Sequence, residues 1–190
     1  MMHKATVTLE PKTLANAADG AKEVLETAHS KLGFIPNLYG NMANSPGALV
    51  TYFSGYNQFR EHSGFTPVEQ EVVFLTISKE NGCGYCIAAH SMIADKMSHV
   101  PAQVVMAIRN GEIIQDPKLA ALSNFTRRLL QSRGLPIDSE VREFLQAGYK
   151  EEQILEIILG IAVKTISNYI NHVFNTSIDP FFENYIWQEK

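Results

Sequence analysis

Apolar residues recur at helical spacing through almost the whole chain. Ala21, Val24, Leu25, Ala28 and Leu32 fall three or four apart over residues 19–32, and Gly33 stands where helices commonly stop. Ser45-Pro46 opens a second periodic stretch that runs to about Glu61, ahead of Gly64. Thr66-Pro67-Val68-Glu69 is a stronger start: a capping threonine, a proline at the first helical position and a glutamate that completes a capping box. That helix should continue through Val72, Phe74, Leu75 and Ile77 to a break at Asn81-Gly82. A further helix is expected from Cys83 to about Met97. Val100-Pro101 and Asp116-Pro117 begin two more, the latter reaching Arg133 before Gly134. Residues 138–147 make a short helix closed by Gly148, residues 151–174 the longest, and Asp179-Pro180 a last turn or two. No period-two alternation competes with these segments, and no linker divides them. The expected fold class is all-α, in one domain spanning residues 1–190.

Composition narrows the function classes. A chain of 190 residues can bury a sizeable core, and 45% hydrophobic residues is ordinary for a globular protein. The net charge of −4 offers no basic field for nucleic acid. Residues 1–12 are polar and do not read as a secretory signal, and the most apolar run, 154–163, is short for a bilayer and carries Glu156. These features lead us to expect a cytoplasmic protein without membrane or nucleic-acid partners. In a reducing compartment a lone cysteine pair points to catalysis or metal binding rather than to a structural staple.

Both cysteines of the chain lie in Cys83-Gly84-Tyr85-Cys86-Ile87-Ala88-Ala89-His90. On a helix these offsets put Cys83, Cys86 and His90 on one side, so the imidazole can reach the Cys86 sulfur. A thiol becomes nucleophilic when it ionises, which a helix N-terminus or a basic neighbour promotes. Asn81-Gly82 supplies a turn that places Cys83 at or beside a helix start, where the macrodipole favours a thiolate; Cys86, one turn further in, should gain less from the dipole and more from His90. Spacing alone leaves open which sulfur attacks. Glu71 lies on the preceding helix, in the stripe Val68, Glu71, Val72, Leu75, Ser78 that turns toward the core. A carboxylate there needs a partner, and a fold-back across Asn81-Gly82 would set it against His90 or a thiol. Glu80, at a helix end, is expected to be solvated.

The segment from Thr66 to Ala94, with Glu71 twelve residues before Cys-x-x-Cys-x-x-x-His, resembles the AhpD-like branch of the carboxymuconolactone decarboxylase family. The resemblance implies an all-α oligomer, commonly a trimer or hexamer, with alkylhydroperoxidase or related thiol–disulfide activity. It implies that Cys86 is peroxidatic, Cys83 resolving, His90 the base and Glu71 the relay acid. It further implies reduction by an external dithiol, in some relatives a lipoyl-bearing protein. Where the best-studied AhpD proteins carry a histidine before the second cysteine, this chain has Tyr85, a phenol that is a poor base near neutral pH. Members that decarboxylate lactones generally lack the cysteine pair.

Other readings of the same residues are a redox sensor that reacts once and changes its assembly, and a zinc site formed by Cys83, Cys86 and His90 with Glu71 or water. A continuous helix would wrap a tetrahedral ion awkwardly, so neither metal nor other cofactor is expected; no flavin, haem or nucleotide signature is visible. Few lysines or arginines flank the motif in sequence, which fits a small neutral peroxide. Phe34, Tyr39, Tyr52, Phe53, Tyr56 and Phe59 are expected in the core or in an interface, some of them walling the site. His172 shares a polar cluster with Asn168 and Asn171 on the long helix and is a candidate pocket residue, whereas His3, His29, His62 and His99 read as surface.

Overall fold

A computed structural model describes residues 7–188, so His3 lies outside the described residues. Among the described residues nine α-helices follow one another: α1 (Asp19–Leu32), α2 (Asn37–Met42), α3 (Pro46–His62), α4 (Pro67–Glu80), α5 (Gly84–Lys96), α6 (Ala102–Asn110), α7 (Pro117–Gln131), α8 (Asp138–Gln146) and α9 (Glu151–Phe174). A 3-10 turn, Pro180–Tyr185, closes the described chain. There is no strand among the described residues, and the architecture is all-α as expected. α2 was not anticipated. It has six residues with a glycine inside, too short to show a period. Gly40 lets it approach the N-terminal segment, where a Cβ would sit 3.2 Å from the Lys12 carbonyl oxygen.

The centre of the bundle is α4, which packs against α5, α6, α7 and α9. Its start is the capping box read from the sequence: Glu69 N donates to Thr66 Oγ1 at 3.3 Å, and Thr66 N donates to Glu69 Oε2 at 2.8 Å. Because neighbours surround it, every residue from Glu69 to Ser78 is buried rather than one stripe. Three consecutive polar residues therefore enter the interior, each with partners. Glu69 caps the helix and pairs with Lys118 at 2.9 Å. Gln70 Nε2 donates to the carbonyls of Arg60 and Phe65 at 3.0 and 3.1 Å. Glu71 enters the site described below.

α4 ends in a tight reversal that positions α5. Gly82 takes φ 64°, a left-handed conformation that glycine adopts without strain. Cys83 N then donates to Ser78 O at 2.9 Å and Gly82 N to Lys79 O at 3.0 Å, which satisfies the last carbonyls of α4. Cys83 is at once the end of this motif and the N-cap of α5. On the other side, α9 approaches α3 and α4 through glycines. A Cβ at Gly160 would stand 3.3 Å from both Phe59 and Val73, and one at Gly55 only 2.6 Å from Val163. α9 is long and apolar enough to cross a membrane by length and composition. In this fold its inward face carries Lys164, Ser167, Asn168 and Asn171, all buried.

Candidate functional site

The α4–α5 reversal brings Glu71 level with His90. Glu71 Oε2 lies 2.8 Å from His90 Nδ1, and the carboxylate is fully buried. Its other oxygen contacts the Arg60 guanidinium from α3 as an ion pair at 2.5 Å, without the alignment of a hydrogen bond. Arg60 also donates to Tyr56 Oη at 2.7 Å and to Gln70 Oε1 at 3.1 Å, and stacks over the rings of Tyr56 and Phe74. Burial alone would raise the Glu71 carboxyl; His90 and Arg60 outweigh it and hold the group below the ordinary carboxylate range. Burial, reinforced by the Lys164 charge, pushes the His90 imidazole down against the pull of Glu71. The pair is therefore a carboxylate accepting from the Nδ1–H of a neutral imidazole, which leaves Nε2 as the basic nitrogen.

The two thiols are free and buried. Because α5 starts at Gly84, Cys83 is the N-cap and Cys86 falls in the first turn, not the second as the sequence implied. Asn171 Nδ2 on α9 donates to Cys86 Sγ at 3.2 Å and lies 3.8 Å from Cys83 Sγ, while Ser167 Oγ is 3.9 Å from Cys86 Sγ. Interaction with the Cys86 sulfur, together with burial, pushes the Cys83 thiol far up. Burial would raise Cys86 too, but Cys83 and the Lys164 ammonium outweigh it and hold Cys86 well below the ordinary thiol range. Helix-end position left the choice between the two sulfurs open; here the Asn171 amide lies nearer Cys86 than Cys83.

A cavity of about 470 Å³ opens onto Cys86 and His90. Its walls are chiefly apolar and aromatic, with Phe34, Tyr39, Tyr52, Phe53 and Tyr56 among them; Phe59 is core instead. Arg60 and Lys164 also face it. The surroundings of the motif are therefore not poor in cations: α3 and α9 each deliver one from far away in the sequence. Tyr85 lines the cavity as well, but its hydroxyl donates to Asp179 Oδ2 at 2.5 Å, and Asp179 in turn accepts from Asn37 N at 3.1 Å. Burial and Asp179 push the Tyr85 phenol far up, so it serves as an anchor between α5 and the C-terminal turn.

The polar cluster on the long helix contributes through Asn171, not through His172, which stacks on Tyr169 at the half-exposed side. Asn168 accepts from Asn81 Nδ2 at 2.8 Å and so braces the α4–α5 turn. Glu80 is paired rather than solvated, with Arg127 at 2.9 Å and Gln131 at 2.8 Å. His29, His62 and His99 are exposed. Among the described residues, no three His, Cys, Asp or Glu side chains form a metal-ligating group. Sequence reasoning missed Arg60, Lys164 and Ser167. One signal was present: Lys164 is the only lysine or arginine within α9, on the same face as Ser167 and Asn171.

Comparison with known proteins meets this geometry at residues 48–128, which match the carboxymuconolactone decarboxylase family and include Arg60, Glu71, both cysteines and His90. The chain resembles that family over the matched segment. Its fold is that of the AhpD core: a peroxidase-related protein from Ralstonia eutropha JMP134 superposes with a TM-score of 0.81 at 21% identity, over 92% of this chain and 93% of that one. A peroxidase-related protein from Silicibacter sp. TM1040 gives 0.79 at 18% identity, over 95% and 94%. A Cys-to-Ala variant of the debrominase Bmp8, in complex with 2,3,4-tribromopyrrole, gives 0.76 at 19% identity, over 95% and 96%. No curated protein matches the sequence. The likeness to the carboxymuconolactone decarboxylase family is thus confined to residues 48–128, and the superpositions extend the shared fold over nearly the whole chain.

Proposed function

We propose that the protein is a thiol-dependent peroxidase of the alkylhydroperoxidase type. The observation that carries this reading is the asymmetry of the two thiols: Cys86 lines the cavity beside His90 and accepts from Asn171 Nδ2 at 3.2 Å, while Cys83 stands behind it at the N-cap of α5. The Cys86 thiolate attacks the outer oxygen of a hydroperoxide; the O–O bond breaks, Cys86 becomes a sulfenic acid, and the alkoxide leaves as an alcohol on taking a proton. His90, oriented by Glu71 through Nδ1, supplies or recovers that proton at Nε2. Cys83 then attacks the sulfenic sulfur, water leaves and a Cys83–Cys86 disulfide forms. An external dithiol, such as a lipoyl-bearing protein, returns both sulfurs to the reduced state. We assign this antioxidant cycle to the cytoplasm, where such donors are kept reduced.

The cavity volume favours a second reading by the same electrons. About 470 Å³ between aromatic walls has room for a substituted ring, far more than hydrogen peroxide needs. A dithiol can reduce a carbon–bromine bond to carbon–hydrogen, with bromide and a proton released and the disulfide formed; the similar debrominase binds a brominated pyrrole. We also propose a homo-oligomer, a trimer or hexamer, supported by Leu155, Ile158, Tyr169 and Val173 standing exposed along the outer side of α9. The deciding experiment is consumption of an alkyl hydroperoxide with a dithiol donor. Many turnovers per subunit, abolished by Cys86→Ser, are expected. One equivalent consumed and no more would replace the peroxidase by a redox sensor.

A further inference from the structure

Lys164 is 1% exposed, in the middle of α9. A buried ammonium is costly unless an anion faces it. Among the described residues, no Asp or Glu oxygen lies within ion-pair distance of it. Of the buried carboxylates bonded to cavity residues, Glu71 is already held by Arg60 and His90, and Asp179 accepts from Tyr85 and Asn37. What Lys164 does face is the cavity it shares with Cys86, and the Phe74 ring, 5.6 Å from Nζ. It stands three and seven residues before Ser167 and Asn171, so one stripe of α9 presents an ammonium, a hydroxyl and an amide toward the dithiol.

We propose that Lys164 is the buried counter-ion of Cys86, a positioning residue that keeps this sulfur, rather than Cys83, as the anion of the pair. The other titratable and charged groups around Cys86 are less suited to that task. Burial and the Lys164 charge push His90 down, so its pull on Cys86 ranks behind that of Lys164; Arg60 is engaged with Glu71, burial raises the Tyr52 and Tyr56 phenols, and Lys31 stands at the exposed rim of the cavity. The buried cation without a carboxylate is Lys164. A consequence follows for the redox couple. The thiolate exists only in the reduced form, so a cation beside it stabilises the dithiol against the disulfide and makes the pair more oxidising.

This rests on Cys86 being the attacking sulfur, and its test is independent of peroxide turnover. In a Cys83→Ser background, thiolate absorbance and iodoacetamide alkylation report on Cys86 alone. Lys164→Met is expected to raise the Cys86 midpoint and to slow alkylation at about pH 6 by tenfold or more, with Lys164→Arg restoring most of the rate. In the protein with both cysteines, Lys164→Met should shift the dithiol–disulfide equilibrium toward the disulfide. Thermal unfolding of Cys86→Ala, Lys164→Met and the double variant supplies the check that folding of any single variant does not decide. The Met replacement should cost less once the Cys86 sulfur is gone. An unchanged Cys86 midpoint, or additive losses in that cycle, would overturn the proposal. Normal results here with no peroxidase turnover would overturn the peroxidase reading alone.

Discussion

The dithiol stands between two walls of different origin. One is the α4–α5 hairpin, which contributes Glu71 and His90 from within twenty residues of chain. The other is α9, which contributes Lys164, Ser167 and Asn171 from about eighty residues away. In the proposed cycle the first wall handles protons: a buried carboxylate orients an imidazole that lines the cavity. The second, on our proposal, handles charge on sulfur: the Asn171 amide donates to Cys86, and Lys164 lines the same cavity. The two also differ in how they are held. The hairpin is fixed by a capping box at one end and a left-handed glycine at the other. α9 is fixed by close packing against α3 and α4 at Gly55 and Gly160. Placing acid–base work and thiolate stabilisation on separate elements lets each be tuned without moving the other.

The sharpest way to break this division is to remove the proton-handling carboxylate. Glu71→Gln leaves Arg60 without its anion and His90 without its orienting acceptor. Turnover should fall by about 100-fold, and stability by about 3 kcal/mol. Alkylation of Cys86 at mildly acid pH should stay as fast as in the wild type, since the α9 wall holds that thiolate; a large loss of alkylation would merge the two walls into one. The acid limb of stability follows from the same pair. The folded pKa values of His90 and Glu71 both lie below their free values, so the unfolded chain binds more protons between the two. Stability should fall as pH drops below about 6.5, and again through the carboxylate range. Thermal melts of wild type and Glu71→Gln across that range check the sign, the variant losing the second step.

The smallest effect is expected at Tyr85. The phenol anchors α5 to Asp179 and takes no part in proton transfer, so Tyr85→Phe should cost about 1.5 kcal/mol of stability. Turnover should change little at saturating substrate. A loss comparable to that of Glu71→Gln would move the phenol into the relay.

The contrast between the walls also explains what the sequence disclosed. Helix starts and stops at Thr66, Gly82 and Gly148 are local chemistry and were legible; so was the fold-back that joins Glu71 to His90, because both lie within one hairpin. α2 was invisible because six residues hold no period. Lys164 and Arg60 were missed because a basic residue on a helix ordinarily reads as a solvated face, and only packing reveals that these two point inward. Asn171 was noticed as part of a polar cluster, but without the third dimension His172 looked the better candidate. The ranking of the two sulfurs needed α9 as well, because spacing alone left open which one attacks.

The most direct test of the account is to trap the first oxidation product. One equivalent of an alkyl hydroperoxide is added to reduced Cys83→Ser and Cys86→Ser proteins in the presence of a sulfenic-acid reagent, and the modified residue is mapped by mass spectrometry. The account predicts rapid labelling at Cys86 in Cys83→Ser and only slow, background labelling at Cys83 in Cys86→Ser. Rapid labelling of Cys83 in the absence of Cys86 would contradict it, because the sulfur that this structure keeps protonated would then be the nucleophile.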